Sequence, residues 1–321
     1  MRTLHHRDGH LGWDRDLLPV AEVVPGEEVE LVLHDCFAGQ LGPDATAADV
    51  AGLDLGRANP LTGPIHVAGA VSGDVLEVTL LEVVPGALGW TTLIPGFGLL
   101  ADAFPEPHVV VSRIGAGHIE VGGFARVPLA PFLGTVGVAP AAPGPHSVIP
   151  PRRVGGNLDC RDVGPGATLL LPIEVDGALL SAGDPHGAQG DGEVCGTAVE
   201  TTATARLRLD VRRDLQIDAP QLVLPPASAP RSGSSGGDAP GAGTVPTTGP
   251  RHLTTGVGPD LYAGARDATS AMIDHLADRF GLDPADAYAL TSVAGHLRII
   301  EVVDAPNWVV GMEVDLSVLL A

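Results

Sequence analysis

Two short polar clusters in this 321-residue chain combine the side chains that activate water or hold a cation. The first contains Asn157 and Asp159; the second runs through Asp184, His186, Gln189, Asp191 and Glu193. In extended backbone, side chains two positions apart share a face. Asn157 with Asp159, Asp184 with His186, and Asp191 with Glu193 are three such pairs. Four carboxylates and an imidazole brought together without a fixed counter-charge repel one another. A bound cation relieves that repulsion, and so do shared protons with raised pKa values. Glycines at 183, 187, 190 and 192 permit close backbone approach and positive φ. The plain alternative is a solvated Asp/Gly turn, because such residues are common in loops.

The segment between the clusters must position them. An apolar run from Thr168 to Ile173 has strand character, Asp176-Gly177 is a turn, and Ala178-Leu179-Leu180 starts a second apolar run. Folded as a hairpin, these would bring the clusters face to face. Asp35 follows the strand-like Val29–Leu33. A carboxylate at a strand end is placed to reach a cleft, against the alternative of a turn-stabilising Asx residue.

Motifs along almost the whole chain carry a resemblance. GGNLDCRDVGPGATLLLP at 155–172 and GALLSAGDPHGAQGDGEVCGTAVE at 177–200 are the strongest. PLTGPIHVAGAVSGDVLEV at 60–78, PFLGTVGVAP at 131–140, IPPR at 149–152 and LTSVAGHLRIIEVVD at 290–304 follow in the same order. With these motifs the chain resembles the acetamidase/formamidase family. The resemblance implies hydrolysis of a small linear amide to carboxylate and ammonia, on a β-sandwich-based fold with a smaller α+β part. His296 departs from the pattern, standing where an acidic residue is expected.

Composition narrows the chemistry. All 18 basic residues are Arg, so lysine-dependent amide hydrolases and P-loop enzymes are excluded. Amide cleavage must then rest on carboxylates, His, Cys or a metal. In one mechanism a divalent cation, zinc by preference, is held by Asp159, His186 and Asp35 or Asp184. The oxygen-rich set equally admits Ca²⁺ or Mg²⁺. The catalytic candidates are Glu193 as proton acceptor, Asp191 on the same face, and Asn157 as hydrogen-bond donor to the oxyanion. In the other mechanism no metal is needed, and a carboxylate pair such as Asp159 and Glu193 shares a proton and activates water. The rival class is a non-catalytic, calcium-dependent binding module on a β-sandwich.

The net charge of −21 argues against nucleic acid, and no apolar run is long enough to span a membrane. Cys36, Cys160 and Cys195 form no even disulfide set, and the N-terminus has no apolar leader, so a cytoplasmic protein is expected. Its partner is a small amide, and a homodimer or higher homo-oligomer is compatible with the acidic surface.

The expected fold is mainly β: a β-sandwich or jelly-roll-like core with a smaller C-terminal α+β layer. Residues 1–224 form the body and 225–250 a flexible Pro/Ser/Gly-rich insertion; 251–321 form an α+β unit packed on the body. In the body, Thr204–Val211 alternates as an exposed strand, and Trp90, Phe97, Phe104 and Phe132 are candidates to line an apolar mouth. In the C-terminal unit, Asp260–Phe280 reads as a helix stopped by Gly281, and Asp283-Pro284 starts a second helix to about Val293. Strands Leu297–Val303 and Trp308–Val314 finish the chain, and His275 is expected on the helix surface.

Overall fold

The computed structural model describes residues 1–226 and 249–320, and the fold is mainly β, as expected. The nine-stranded sheet runs from Arg2–His5 through Glu28–Leu33, Ala203–Arg212, Val75–Pro85, Thr168–Pro172, Gln221–Leu224, Arg251–Gly258 and Trp308–Asp315 to Gly295–Glu301. A six-stranded sheet orders Gly155–Asn157, Phe132–Gly137, Leu180–His186, Leu61–Val67 and Gly9–His10, with Ala21–Val23 also on Leu61–Val67. A four-stranded meander covers Leu88–Leu93, His108–Ile114, His118–Val121 and Ala125–Pro128.

The two larger sheets share one apolar core. Leu31, Val78, Leu169 and Leu207 enter it from the nine-stranded sheet, and Ile65, Leu133, Leu180 and Ala182 from the six-stranded one. Alternation explains the choice of face. In Glu28–Leu33, Val29, Leu31 and Leu33 are buried while Glu28 stays in solvent. Each such apolar side chain contributes about 1.5–3 kcal/mol when fully buried. Ala203–Arg212 differs from the exposed strand expected over part of it. It lies in mid-sheet between Glu28–Leu33 and Val75–Pro85, with its alanines, leucines and Val211 inward.

The expected hairpin between the polar clusters does not form. Thr168–Pro172 belongs to the nine-stranded sheet and Leu180–His186 to the six-stranded one, so residues 173–179 cross between sheets. Both strands bury both faces: Thr168–Pro172 is apolar from Leu169 onward, while Leu180–His186 buries Ser181, Asp184 and His186 along with its apolar residues. Ala178 and Leu179 turn the crossover with φ of 60° and 57°. The polar clusters meet by another route, through the strand Phe132–Gly137.

At the C-terminal end, Asp260 caps the helix Leu261–Phe280 by accepting from the Ala263 amide at 2.7 Å, and Gly281 ends it at φ 69°. Asp283 caps Pro284–Ala294 in the same way. Ala268, Met272 and Leu276 pack on Met312 and Val314. The final hairpin pairs with Arg251–Gly258, which pairs with Gln221–Leu224, so these strands extend the large sheet. His275 is half-buried, its ring stacked on His252 at 3.5 Å and 5°. Most of the Pro/Ser/Gly-rich stretch, 227–248, lies outside the described residues. No helix among the described residues is long and apolar enough to cross a membrane.

Candidate active site

Strand Phe132–Gly137 separates the two polar clusters by only one strand width. Thr135 faces Asn157 on one neighbouring strand and Gly183 on the other. Gly134 makes the approach close enough for chemistry. A Cβ on it would lie 2.5 Å from Asp159 Oδ1, 2.7 Å from Asp184 Oδ2 and 2.9 Å from His186 Cε1, so only glycine fits. Its carbonyl accepts the amides of Leu158 and Asp159, which turns the chain into the site. Asp159, Asp184 and Glu193 adopt positive φ of 42°, 56° and 44°. That left-handed conformation aims all three carboxylates inward.

His186 lies at the centre, with the edge of Phe132 against its ring. Gln189 fixes its tautomer: Gln189 Nε2 donates to the Asp159 carbonyl at 2.6 Å, leaving Oε1 to accept from His186 Nδ1 at 2.9 Å. Nε2 is therefore the free nitrogen. It lies 2.9 Å from Glu200 Oε2 and 3.2 Å from Asp184 Oδ1, yet aligned for a hydrogen bond with neither. Both Asp159 carboxylate oxygens are also buried without a hydrogen-bond partner. Buried groups left this way call for a proton or a cation between them.

The electrostatics agree. Burial, then Asp304 and Asp184, hold the Asp159 carboxyl well above its usual pKa. Burial and Asp159 do the same to Glu193. Burial raises Glu200 and Asp304 too. Burial opposes a charged His186, but Glu200 and Asp184 outweigh it and hold that imidazole well above its ordinary value.

Asn157 stands between the cluster and the C-terminal hairpin. It donates from Nδ2 to Asp304 Oδ2 at 2.6 Å and accepts at Oδ1 from Asn59 and Thr135. Asp304 is held in turn by Glu301, which accepts its amide at 2.6 Å and is itself pushed up to about 7 by burial. Gly192 bonds through its amide to Ile300 O at 2.7 Å, tying the Glu193 loop to the same hairpin.

The expected site residues fall into two groups. Ligand atoms of Asp159, His186 and Glu193 come within 4.8 Å of one another, and so do those of Asp184, Glu200 and Cys36. Asn157 adjoins them. Asp35 and Asp191 are elsewhere. Asp35 accepts the amides of Phe37 and Gly39 and stabilises its own turn, while Asp191 pairs with Arg161 at 3.0 Å. His296 is exposed and outside the cluster. Of the candidate mouth aromatics only Phe97 lines the cavity; Trp90 and Phe132 are buried, and Phe104 is exposed. Sequence reasoning did not select Glu200, Asp304, Cys36 or Asn59. Glu200 and Asp304 close two of the quoted motifs, a signal that spacing alone does not separate from strand-end decoration.

The residues present fit a divalent cation. His186 Nε2, Asp159 and Asp184 supply one nitrogen and carboxylate oxygens, and Gln189 orients the imidazole from behind as a metal-ligating His requires. Donor chemistry of this kind does not discriminate zinc from harder cations.

The profile of the Acetamidase/Formamidase family matches residues 2–148 and 141–319. An acetamidase of Mycolicibacterium smegmatis is 31% identical over 268 residues, covering 63% of this chain and 66% of the relative. A formamidase of Methylophilus methylotrophus is 30% identical over 263 residues, covering 64% of each. The chain thus spans just under two thirds of the length of these curated relatives. A crystal structure of an acetamidase from Bacillus halodurans superposes with a TM-score of 0.85 at 30% identity, covering 98% of both chains.

Proposed function

The chain belongs to the acetamidase/formamidase family, and from that we propose that it hydrolyses the C–N bond of a small linear primary amide, giving carboxylate and ammonia. The observation that carries this reading is the buried cluster of Asp159, Asp184, Glu193 and Glu200 lining a cavity, with His186 packed among them. A binding module has no need of a carboxylate such as Glu193, buried and raised in basicity beside a substrate-sized space.

Glu193 takes a proton from water as its oxygen bonds to the amide carbon. The carbonyl oxygen gains charge, and the second N–H of Asn157, whose first is committed to Asp304, stabilises it. Glu193 then returns the proton to nitrogen as the C–N bond breaks, so that ammonia rather than an amide anion departs. A divalent cation held by Asp159, His186 and Asp184, with Glu193 left unbound as the base, would supply Lewis-acid polarisation of the carbonyl. Gln189 and Gly134 keep the imidazole and carboxylates in place throughout. The three cysteines are free, in keeping with a cytoplasmic location.

Ammonia release from short primary amides tests the activity, and no release from any of them overturns it. Glu193→Gln is expected to lower kcat by about 10²–10⁴-fold with KM little changed. Removal of divalent ions with a chelator, checked by elemental analysis, should abolish turnover and zinc should restore it. Full activity in a metal-free preparation would leave the carboxylate pair as the water-activating device.

A further inference from the structure

The cavity that ends at the carboxylate cluster is larger than the smallest amides need. Its volume is about 380 Å³. That lies within the range of about 300–1,000 Å³ found for pockets that take much larger ligands, whereas formamide has three non-hydrogen atoms and acetamide four. The cavity is also divided by chemistry. Asn157, Asp159, Asp184, Glu193, Glu200 and Asp304 form its polar end. The remaining wall is largely apolar, built by Phe37, Leu55, Ile94, Pro95, Phe97 and Ile149, and no Arg or His among the described residues lines it.

We propose that the substrate's acyl group is an uncharged apolar chain or ring of about four to eight carbons, seated on the Phe37–Ile94–Phe97–Ile149 wall. The proposal rests on the amidase reading: if nitrogen leaves as ammonia it carries no substituent, so the apolar remainder must belong to the acyl side. A second carboxylate on the substrate would face the acidic end with no cation along the wall to receive it. Half-amides of dicarboxylic acids, which keep a free carboxylate, are therefore disfavoured.

The wall is mechanically joined to the proton acceptor. The ring of Phe97 lies against Gly196, where a Cβ would come within 2.4 Å of Phe97 Cδ1. The Gly196 amide donates to the Glu193 carbonyl at 2.7 Å, and the Leu99 amide donates to Val194 O at 3.0 Å. An acyl chain pressed on Phe97 thus braces the loop that carries Glu193.

The experiment is a kcat/KM series by ammonia release with formamide, acetamide, propanamide, butanamide, hexanamide, benzamide and succinamate. About fourfold gain per buried methylene, the equivalent of 0.8 kcal/mol, is expected from acetamide to hexanamide, or about 200-fold in all. Succinamate should fall at least tenfold below butanamide. A series that is flat or falls beyond propanamide, or succinamate equal to butanamide, overturns the proposal. N-hexylformamide yielding hexylamine faster than hexanamide yields ammonia would also overturn it. Ala58→Phe, at a half-buried lining position, should lower the hexanamide-to-acetamide ratio at least tenfold. Calorimetry on the full-length Glu193→Gln protein separates the two readings. If no amide releases ammonia but hexanamide binds at least tenfold more tightly than acetamide, the amidase reading fails and the acyl pocket stands. Equal binding removes the pocket as well.

Discussion

Gly134 shows how one residue sets the reach of three others. Its missing side chain is the space into which Asp159, Asp184 and His186 converge. Gly134→Ala is expected to leave the fold intact, since the methyl group meets carboxylate ends and an imidazole rather than backbone. It should cut kcat by about 10²-fold and lower the affinity for added zinc by about tenfold, both measured on the purified variant. Asn157 offers a companion test. Asp304→Asn exchanges the carboxyl acceptor for an amide whose NH₂ can turn toward Asn157, so the bond that orients Asn157 is weakened; kcat should fall by about tenfold while KM changes little. At this scale the sequence was readable where the residue type was unusual. Spacing brought out Asp159, Asp184, His186 and Glu193 because acidic residues and glycine alternate there. Cys36 and Asn59 were hidden, because their proximity depends on three-dimensional crossings that no local pattern records. Asp35 and Asp191 show the converse: an acidic residue at a strand end or between glycines is as often a turn former or an arginine partner as a site residue.

Two elements outside the cluster hold it in place and can be tested as units. Arg298, in the strand Gly295–Glu301, is half-buried and bonds to Asp162 and to Glu313 at 2.7 Å, with Asp191 at 3.5 Å. It couples the C-terminal hairpin to the loop that carries Glu193. Arg298→Met removes the ion pair to Asp162 and one of the two arginines on Glu313, which keeps Arg251, and should cost about 3 kcal/mol in denaturant unfolding. The helix Leu261–Phe280 carries the second unit, His275 stacked on His252, which bonds to Gln221 at 2.9 Å. Burial, then His275 and Arg279, lower His252 to about 3; burial and Arg279 lower His275 to about 4. Below the ordinary imidazole value of 6.5, the unfolded chain takes up protons that the folded chain refuses. Their contribution to stability is therefore lost as pH falls from 6.5 toward 4. The site carboxylates act in the opposite direction, so the readout is a difference. Between pH 6.5 and 5, wild type should lose about 1.4 kcal/mol per pH unit more than His252→Gln does. Helices were legible here because Asp260, Gly281 and Asp283-Pro284 are strong local punctuation. Strand partners were not, because two apolar runs with a turn between them read alike whether they pair or cross between sheets.

Across the whole molecule, 39 acidic residues face 18 arginines, for a net charge of −21. Self-repulsion of this size should make the melting temperature rise with sodium chloride between 10 and 500 mM, while kcat/KM for a neutral amide stays within about twofold. Steering by the protein's field acts on charged ligands only. The mainly β class and the family were visible from motifs spread over nearly the full chain. The sheet order was not, because it is set by long-range pairing such as Arg2–His5 running parallel to Glu28–Leu33. The three inward-aimed carboxylates at Asp159, Asp184 and Glu193 share one further property: each occupies a backbone conformation that costs about 1 kcal/mol for a residue with a side chain. Glycine or asparagine at any of these positions relieves that cost, and it lightens the mutual repulsion as well. A library of variants sorted for heat resistance alone should therefore accumulate inert survivors altered at these three codons, and a thermostabilised catalyst has to be selected for turnover at the same time.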